Sequence, residues 1–516
     1  MPTADAAPAG AGAARTDDTG NGDGRPRRRL SQRAIALVGL GFAVAFLAAV
    51  ALDHALSNDE LWSLAAGQWM LAHHSVMGSD PFSYTESHRR WVTDEWGSEV
   101  ALAALVRSVG SAAYAIYAVV LGGCCLAATA AYARVLGARG GRIAAIVLLL
   151  AAGLAGTVAA DRGLDFSLVW FPVLLLILAK ARTSPGWLWL LPPLCLAWVN
   201  THGSILLGLA VIALELAWSL APLRVVRRLN GVQQSPYPGP LALALVGSLL
   251  ASCVTPYGPG LLAYDVGVAR NSQIAQYITE WSSPNFHSLM TLLVFLVPLG
   301  VMVTCLWNRR IPLLECSLTA VLFIEALQTQ RLAVYLMVAA AGLAATIPGR
   351  RPWSTTARRW AGGAFVVLGI VVVALPSVPA GTVSSTEPVR AFDALQSHPG
   401  RIFTQYTWGD YSIARHRATF VDGRTDLFEG SVLTQFFDVS NLSVDPDPIF
   451  SAHHVDYVVW SPHTALSVYL GRDPRWRVVD RTSVAVVFAR RTQSSTASRP
   501  RVSPSSSAQT STASNP

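Results

Sequence analysis

Apolar residues run along this chain in long, nearly uncharged blocks from about residue 34 to residue 379, separated by short polar connections. Blocks of that length match the roughly 30 Å of a bilayer's hydrocarbon, which helices cross with every backbone group satisfied. The pattern predicts about eleven spans, at 34–54, 111–133, 143–160, 164–180, 186–201, 204–222, 240–256, 289–307, 311–328, 331–348 and 360–379. Pro172, Pro192 and Pro193 fall in the two shortest and predict kinks or partial insertion there. The stretch from Asp94 to Val109 differs: apolar positions follow two acids and Arg107 interrupts them, which predicts an amphipathic helix lying in the interface.

Near residue 380 the pattern changes to short β-branched and aromatic runs, RIFTQ, ATFVD, DYVVW, WRVVD and VAVVFAR, which predict strands. Helical stretches are expected between them, at 388–396, 408–415, 430–440 and 464–470. The expected fold class is therefore an all-α polytopic membrane bundle carrying a small C-terminal α/β domain. Its divisions are a disordered tail at 1–33, a transmembrane domain at 34–379 with a first outer loop at 55–110, the α/β domain at 380–491, and a disordered Ser/Thr-rich tail at 492–516.

Composition agrees, with 52% hydrophobic and only 14% charged residues where soluble domains carry about 25% charge. The net charge of +8 does not indicate nucleic-acid binding, because the arginines cluster at the ends of apolar runs without a basic face or reading motif. Their distribution sets an orientation instead. Arg134, Arg139, Arg142, Lys180, Arg182, Arg224, Arg227, Arg228, Arg309, Arg310, Arg350 and Arg351 fall in alternate connections, while the opposite connections hold fewer. The N-terminus is thus expected in the cytoplasm and the C-terminal domain outside it, in a multi-pass protein of the cell membrane. The six cysteines lie in apolar runs without zinc-ligand spacing and read as small packing residues.

Under that orientation the unusual polar residues gather on the outer face. Asp59 and Glu60 follow the first span, then Asp80 in DPFSYT and Glu95 in TDEW. Asp161, Arg162 and Asp165 lie near the third connection, Asn200 and His202 in WVNTHGS, Tyr257 in PYG, Glu280 and Trp281 in ITEWSSP, and Glu325 and Arg331 further on. Ionisable groups at the membrane are functional or paired; one-sided clustering beneath a long loop points to a shared cavity. Glu215 lies apart within the sixth span and reads as a packing or helix-pairing residue.

The acidic pair after the first span, DPFSYT, W-x-x-x-EW, W-x-N-x-HGS, P-Y-G and EWSSP together resemble the GT-C superfamily of membrane glycosyltransferases. The likeness is to bacterial relatives of the protein mannosyltransferase and lipid A aminoarabinose transferase group, over residues 34–490, including Y-x-WG-D-Y and V-DGR-x-DL in the C-terminal module. The resemblance implies a GT-C-like fold and a polyprenyl-phosphate sugar donor, with an envelope glycan, lipid or protein as acceptor. It carries a catalytic carboxylate to Asp59, with Glu60 beside it. Ser57, Leu61 and Ser63 depart from the D-x-D-x-W-W-H form, so either the divalent cation is lost or it is held elsewhere, by Asp80 or Glu280.

Transfer from a lipid phosphate needs a base for the acceptor hydroxyl and cationic or hydrogen-bonding groups for the leaving phosphate. Asp59 is the expected base. Arg162, His202 and Arg331 are the expected phosphate partners, with Asp80, Asn200, Tyr257, Glu280 and Trp281 as further substrate contacts. The DGR-x-DL run, Asp422 to Leu427, is expected to dock the C-terminal module over the cavity, with Arg424 pairing to Asp426 or Asp410. Two other readings stay open: a transporter or flippase of a lipid-linked precursor, and a non-catalytic GT-C-like scaffold for envelope assembly. A transporter should show internal repeats or charges on both sides; no repeat is evident and the charges favour one face.

Overall fold

The computed structural model describes residues 31–52, 56, 58–87, 89–158, 163–229, 231–232, 235–271, 278–307, 311–348 and 384–491. Most of the N-terminal tail, the C-terminal tail, the span expected at 360–379, Asp161 and Arg162 lie outside the described residues. Helices occupy the other ten expected segments, in places interrupted by a 3-10 turn. Four of the described helices are long and apolar enough to cross a membrane by length and composition: α1 (Gln32–Leu52), α4 (Ala112–Val135), α6 (Leu164–Ala181) and α12 (Leu289–Trp307). Shorter apolar helices accompany them, among them α5 (Gly140–Val158), α8 (Ile205–Leu220), α10 (Pro238–Ala251) and α14 (Ala333–Thr346).

Local sequence explains the interruptions. Pro192 and Pro193 begin α7 (Leu191–Val199) after a 3-10 turn at Pro185–Leu190. At a helix start the missing proline N–H leaves no broken bond, so the expected kink appears as a break between two helical pieces. The amphipathic stretch forms α3 (Trp96–Val109), which buries Ser98, Glu99, Leu102 and Ala103 on one face. It packs on α2 (Asn58–His73), the helix that carries the acidic pair in its first turn.

The C-terminal module contains a four-stranded sheet in the order β1 (Arg401–Thr404), β2 (Val455–Trp460), β4 (Val486–Arg490), β3 (Trp476–Arg481). The pair β1–β2 is parallel; β2–β4 and β3–β4 are antiparallel. The expected ATFVD strand does not join this sheet as a full strand. Its Thr419 makes single bridges to Ile402 of β1 and to Ser83 of the first loop, so the segment ties the two regions together.

Packing across that tie is continuous. Ala66, Met70, Met77 and Trp91 of the first loop share one buried cluster with Phe403, Phe420, Phe428, Phe436 and Trp460 of the C-terminal module. Leu61 of α2 packs with Trp408, Tyr411 and Val487 in a second. Each large side chain so buried stabilises by about 1.5–3 kcal/mol, so first loop and C-terminal module are held as one packed unit against the helices.

Candidate active site

Two groups of charged side chains meet where the first loop, the C-terminal module and one end of the helical bundle come together. The first is closed and balanced. Arg424 is 2% exposed. Its Nε and Nη2 donate to Asp422 at 2.7 and 2.6 Å, and its Nη1 donates to Asp80 at 2.6 Å. The guanidinium also lies over Trp91 at 4.6 Å and Phe82 at 5.2 Å. Against the pull of burial, Asp422 and Asp80 hold it charged. The second oxygen of Asp80 accepts the Ser83 N–H at 2.9 Å, while Oδ1 also accepts that of Phe82 at 2.9 Å. Both oxygens of Asp80, expected from the sequence as a substrate contact, are engaged within this lock. Arg424 likewise pairs with Asp422 and Asp80, not with Asp426 or Asp410, because the loop turns its side chain back over its own DGR run and into the first loop.

Asp59 lies beside this lock. It sits half-buried at the first turn of α2, where a carboxylate favours the helix dipole, and accepts from Trp62 Nε1 at 3.4 Å. Glu60 is buried on the same turn. Across from them, α16 (Tyr406–Ala414) packs on α2 and brings Asp410 into the electrostatic reach of Asp59. Burial, then the charges of Asp422 and Asp59, push the Asp410 carboxyl well above the usual range. Asp410 accepts the Gly423 N–H at 2.7 Å. The small residue of Y-x-WG-D-Y is explained by proximity, since a Cβ on Gly409 would lie 2.1 Å from the Val421 carbonyl oxygen.

The second group is acid-rich and less evenly paired. His202 Nδ1 accepts the Ser204 N–H at 3.0 Å, and its other ring nitrogen, Nε2, points away from Ser204. That nitrogen lies 3.2 Å from Glu95 Oε1 and 3.1 Å from Arg331 Nη2. Arg331 in turn lies over Trp281 at 5.3 Å, and Glu280 neighbours Trp281 on the same 3-10 turn. Asp94 and Asp265 bracket the backbone next to His202: a Cβ on Gly203 would sit 2.7 Å from Asp94 Oδ2 and 2.9 Å from Asp265 Oδ1. Asp265 comes from α11 (Gly260–Ala269), which at ten residues reaches about 15 Å and is too short to cross. From the C-terminal module Asp426 joins them, accepting from the Tyr264 hydroxyl.

Asp94, Glu95, Asp265 and Asp426 thus gather near His202, and Glu99 stands beside Glu95 and Asp94. The Asp94 carboxyl is raised by burial and by Asp426, with Arg331 pulling the other way; Asp265 is raised by burial, then Asp94 and Glu95. Glu99 is 2% exposed, has neither oxygen hydrogen-bonded, and is pushed well up by burial and by Glu95 and Asp94. One Asp265 oxygen is also buried without a partner. Among the described residues no three His, Cys, Asp or Glu side chains are arranged to hold a metal ion.

Of the sequence-predicted residues, His202, Arg331, Glu280 and Trp281 come together here. Asn200 and Tyr257 lie alongside as ties. Asn200 Oδ1 accepts from Trp96 Nε1 at 3.0 Å, and its Nδ2 donates to the carbonyls of Leu196 and Val254. The Tyr257 hydroxyl joins Thr93 and Met77. The weight of Asp94, Glu99, Asp265, Tyr264 and Asp426 was not evident from the sequence. A signal was present for Asp265, a single carboxylate inside the apolar run GLLAYDVGVA.

No protein-family model matches the chain, and no curated protein does. Solved structures do. The oligosaccharyltransferase AglB from Archaeoglobus fulgidus, in complex with an inhibitory peptide and a dolichol-phosphate, is similar with a TM-score of 0.57 at 13% identity, over 83% of this chain and 70% of that one. Its apo form gives 0.56 at 12% identity, over 82% and 69%. ArnT from Cupriavidus metallidurans bound to undecaprenyl phosphate gives 0.51 at 15% identity, over 89% of this chain and 97% of that one. Shared architecture at such low identity speaks to fold: the chain has the fold of the GT-C superfamily, with apolar helices suited to a membrane and a small C-terminal sheet.

Proposed function

We propose that this chain is a membrane glycosyltransferase that moves a sugar from a polyprenyl-phosphate donor to an envelope glycan, lipid or protein acceptor at the outer face of the cytoplasmic membrane. The observation that carries the reading is the convergence of Glu95, His202 and Arg331 with Asp94, Asp265 and Asp426, from separate connections, at one end of the bundle. Similar folds hold dolichol-phosphate and undecaprenyl phosphate in AglB and ArnT, which supports the donor class. In the same reading about eleven spans place the N-terminus in the cytoplasm and residues 380–491 outside.

The chemistry is a displacement at the anomeric carbon. The acceptor oxygen forms the new bond as the bond to the phosphate oxygen breaks, and the polyprenyl phosphate leaves with the bonding electrons. Arg331, braced over Trp281, and His202 hold the departing phosphate. A carboxylate takes the hydroxyl proton, and Asp94 is placed for this beside Arg331; its raised pKa suits a base working near neutral pH. Asp59, set against the buried Asp410, is the second candidate. Water-poor surroundings strengthen each of these interactions.

The test is envelope glycan and glycolipid analysis of strains carrying Asp94→Asn or Asp59→Asn at normal expression, beside a full deletion. Loss of one product in either variant identifies the base. A changed profile in the deletion alone, with both variants normal, would favour a non-catalytic scaffold.

A further inference from the structure

A cavity of about 250 Å³ lies beside the acid-rich cleft, between the first loop, α11 and the DGR-x-DL run. Its wall includes Tyr264 and Asp426, the pair that also faces Asp94 and Asp265. We propose that this cavity binds one neutral sugar ring of the acceptor. This rests on the reading above, that a sugar is transferred at this face, and adds the class of acceptor.

Size and charge both select the occupant. At 250 Å³ the space falls just under the roughly 300 Å³ where drug-sized pockets begin, so one ring fits and an extended chain does not. Two cations, Arg89 and Arg90, and two carboxylates, Asp426 and Glu429, line it. Arg89 donates to the Glu429 carbonyl at 3.2 Å and lies 3.4 Å from its carboxylate. A free phosphate or uronate would meet the carboxylates, and an ammonium would meet the arginines. A neutral polyol satisfies both, accepting from guanidinium N–H groups and donating hydroxyl protons to carboxylates. The rings of Tyr257 and Tyr264 offer apolar surface for the C–H face of the ring. Because Asp426 and Tyr264 border both spaces, a ring seated here presents a hydroxyl toward Asp94.

Gly260 supplies a clean block. It lines the cavity at the start of α11, and a Cβ there meets nothing within 4 Å. The backbone there has room for a side chain, so Gly260→Trp puts an indole at the cavity wall to obstruct it, away from the Arg424 lock. The experiment is saturation-transfer NMR on the full-length protein in lipid nanodiscs, with methyl glycosides of neutral hexoses and pentoses beside methyl glucuronide, glucosamine and glucose 6-phosphate. Undecaprenyl phosphate binding is measured in parallel on every variant.

The expected result is transfer to at least one neutral glycoside, its loss in Gly260→Trp, a several-fold weakening in Arg90→Ala, and unchanged undecaprenyl phosphate binding in both. Preference for a charged probe, persistence of the signal in Gly260→Trp, or no neutral glycoside bound by the wild-type protein would overturn the proposal. Failure of the wild-type protein to bind undecaprenyl phosphate would instead sink the donor assignment, whatever the glycosides do.

Discussion

The Arg424 lock and the Arg331 cleft use the same residue types to opposite ends. At the lock, one arginine sits between two carboxylates, with all three guanidinium nitrogens engaged and aromatic faces excluding water. At the cleft, Arg331 reaches His202 and acts on Asp94, Glu95 lies against His202, Glu99, Asp265 and Asp426 stand close by, and three buried carboxylate oxygens have no partner. A buried polar group without a partner destabilises, and a site that tolerates several has a use for them. The first arrangement fixes the C-terminal module in place; the second is left under-neutralised where a ligand can complete it.

The sharpest way to break this contrast is to remove each arginine. Arg424→Ala leaves Asp80 and Asp422 buried without a countercharge and should cost about 3–5 kcal/mol. Thermal unfolding of the detergent-solubilised protein would read this as a large fall in midpoint. Replacing the whole lock by Asp80→Asn, Arg424→Met and Asp422→Asn together should recover much of that loss, since the penalty lies in the orphaned charges. Arg331→Ala should do the reverse, with a minor change in unfolding and a fall in transfer rate of about 10²–10³, the effect of losing one charge-stabilising donor.

A third expectation concerns pH. Glu99 and Asp94 have folded pKa values raised above those of the unfolded chain. Between the two values the folded state keeps protons that the unfolded state releases, so their contribution is full below the unfolded pKa and is lost as pH rises through the folded one. The unfolding midpoint should therefore fall between pH 5 and pH 8, and Glu99→Gln should flatten that slope by holding the site neutral. A slope identical to wild type would place the titration elsewhere. The smallest effect is expected for Tyr264→Phe, which removes one hydroxyl donor to Asp426 and should lower stability by about 1 kcal/mol.

Much of the architecture was legible because it rests on local signals. Long apolar blocks marked helical segments, and β-branched runs marked all four strands of the sheet, as their periods require. ATFVD read as a strand from composition, yet its pairing is divided between β1 and the first loop, a long-range choice that propensity does not encode. The site was half legible. His202, Arg331, Glu280 and Trp281 stand out as polar residues at the ends of apolar runs. Asp80 stands out equally, but its partner Arg424 is more than three hundred residues away, and nothing local distinguishes a lock from a substrate contact. Asp426 was visible only as part of a turn; its place beside Asp94 depends on how the C-terminal module docks.

The most direct measurement is undecaprenyl phosphate binding by the full-length protein in nanodiscs, wild type against Arg331→Ala. The cleft should bind the lipid phosphate through Arg331, so the variant should weaken binding tenfold or more, about 1.4 kcal/mol, with its unfolding midpoint preserved. Equal affinity in the two proteins would contradict the assignment of this cleft as the donor site.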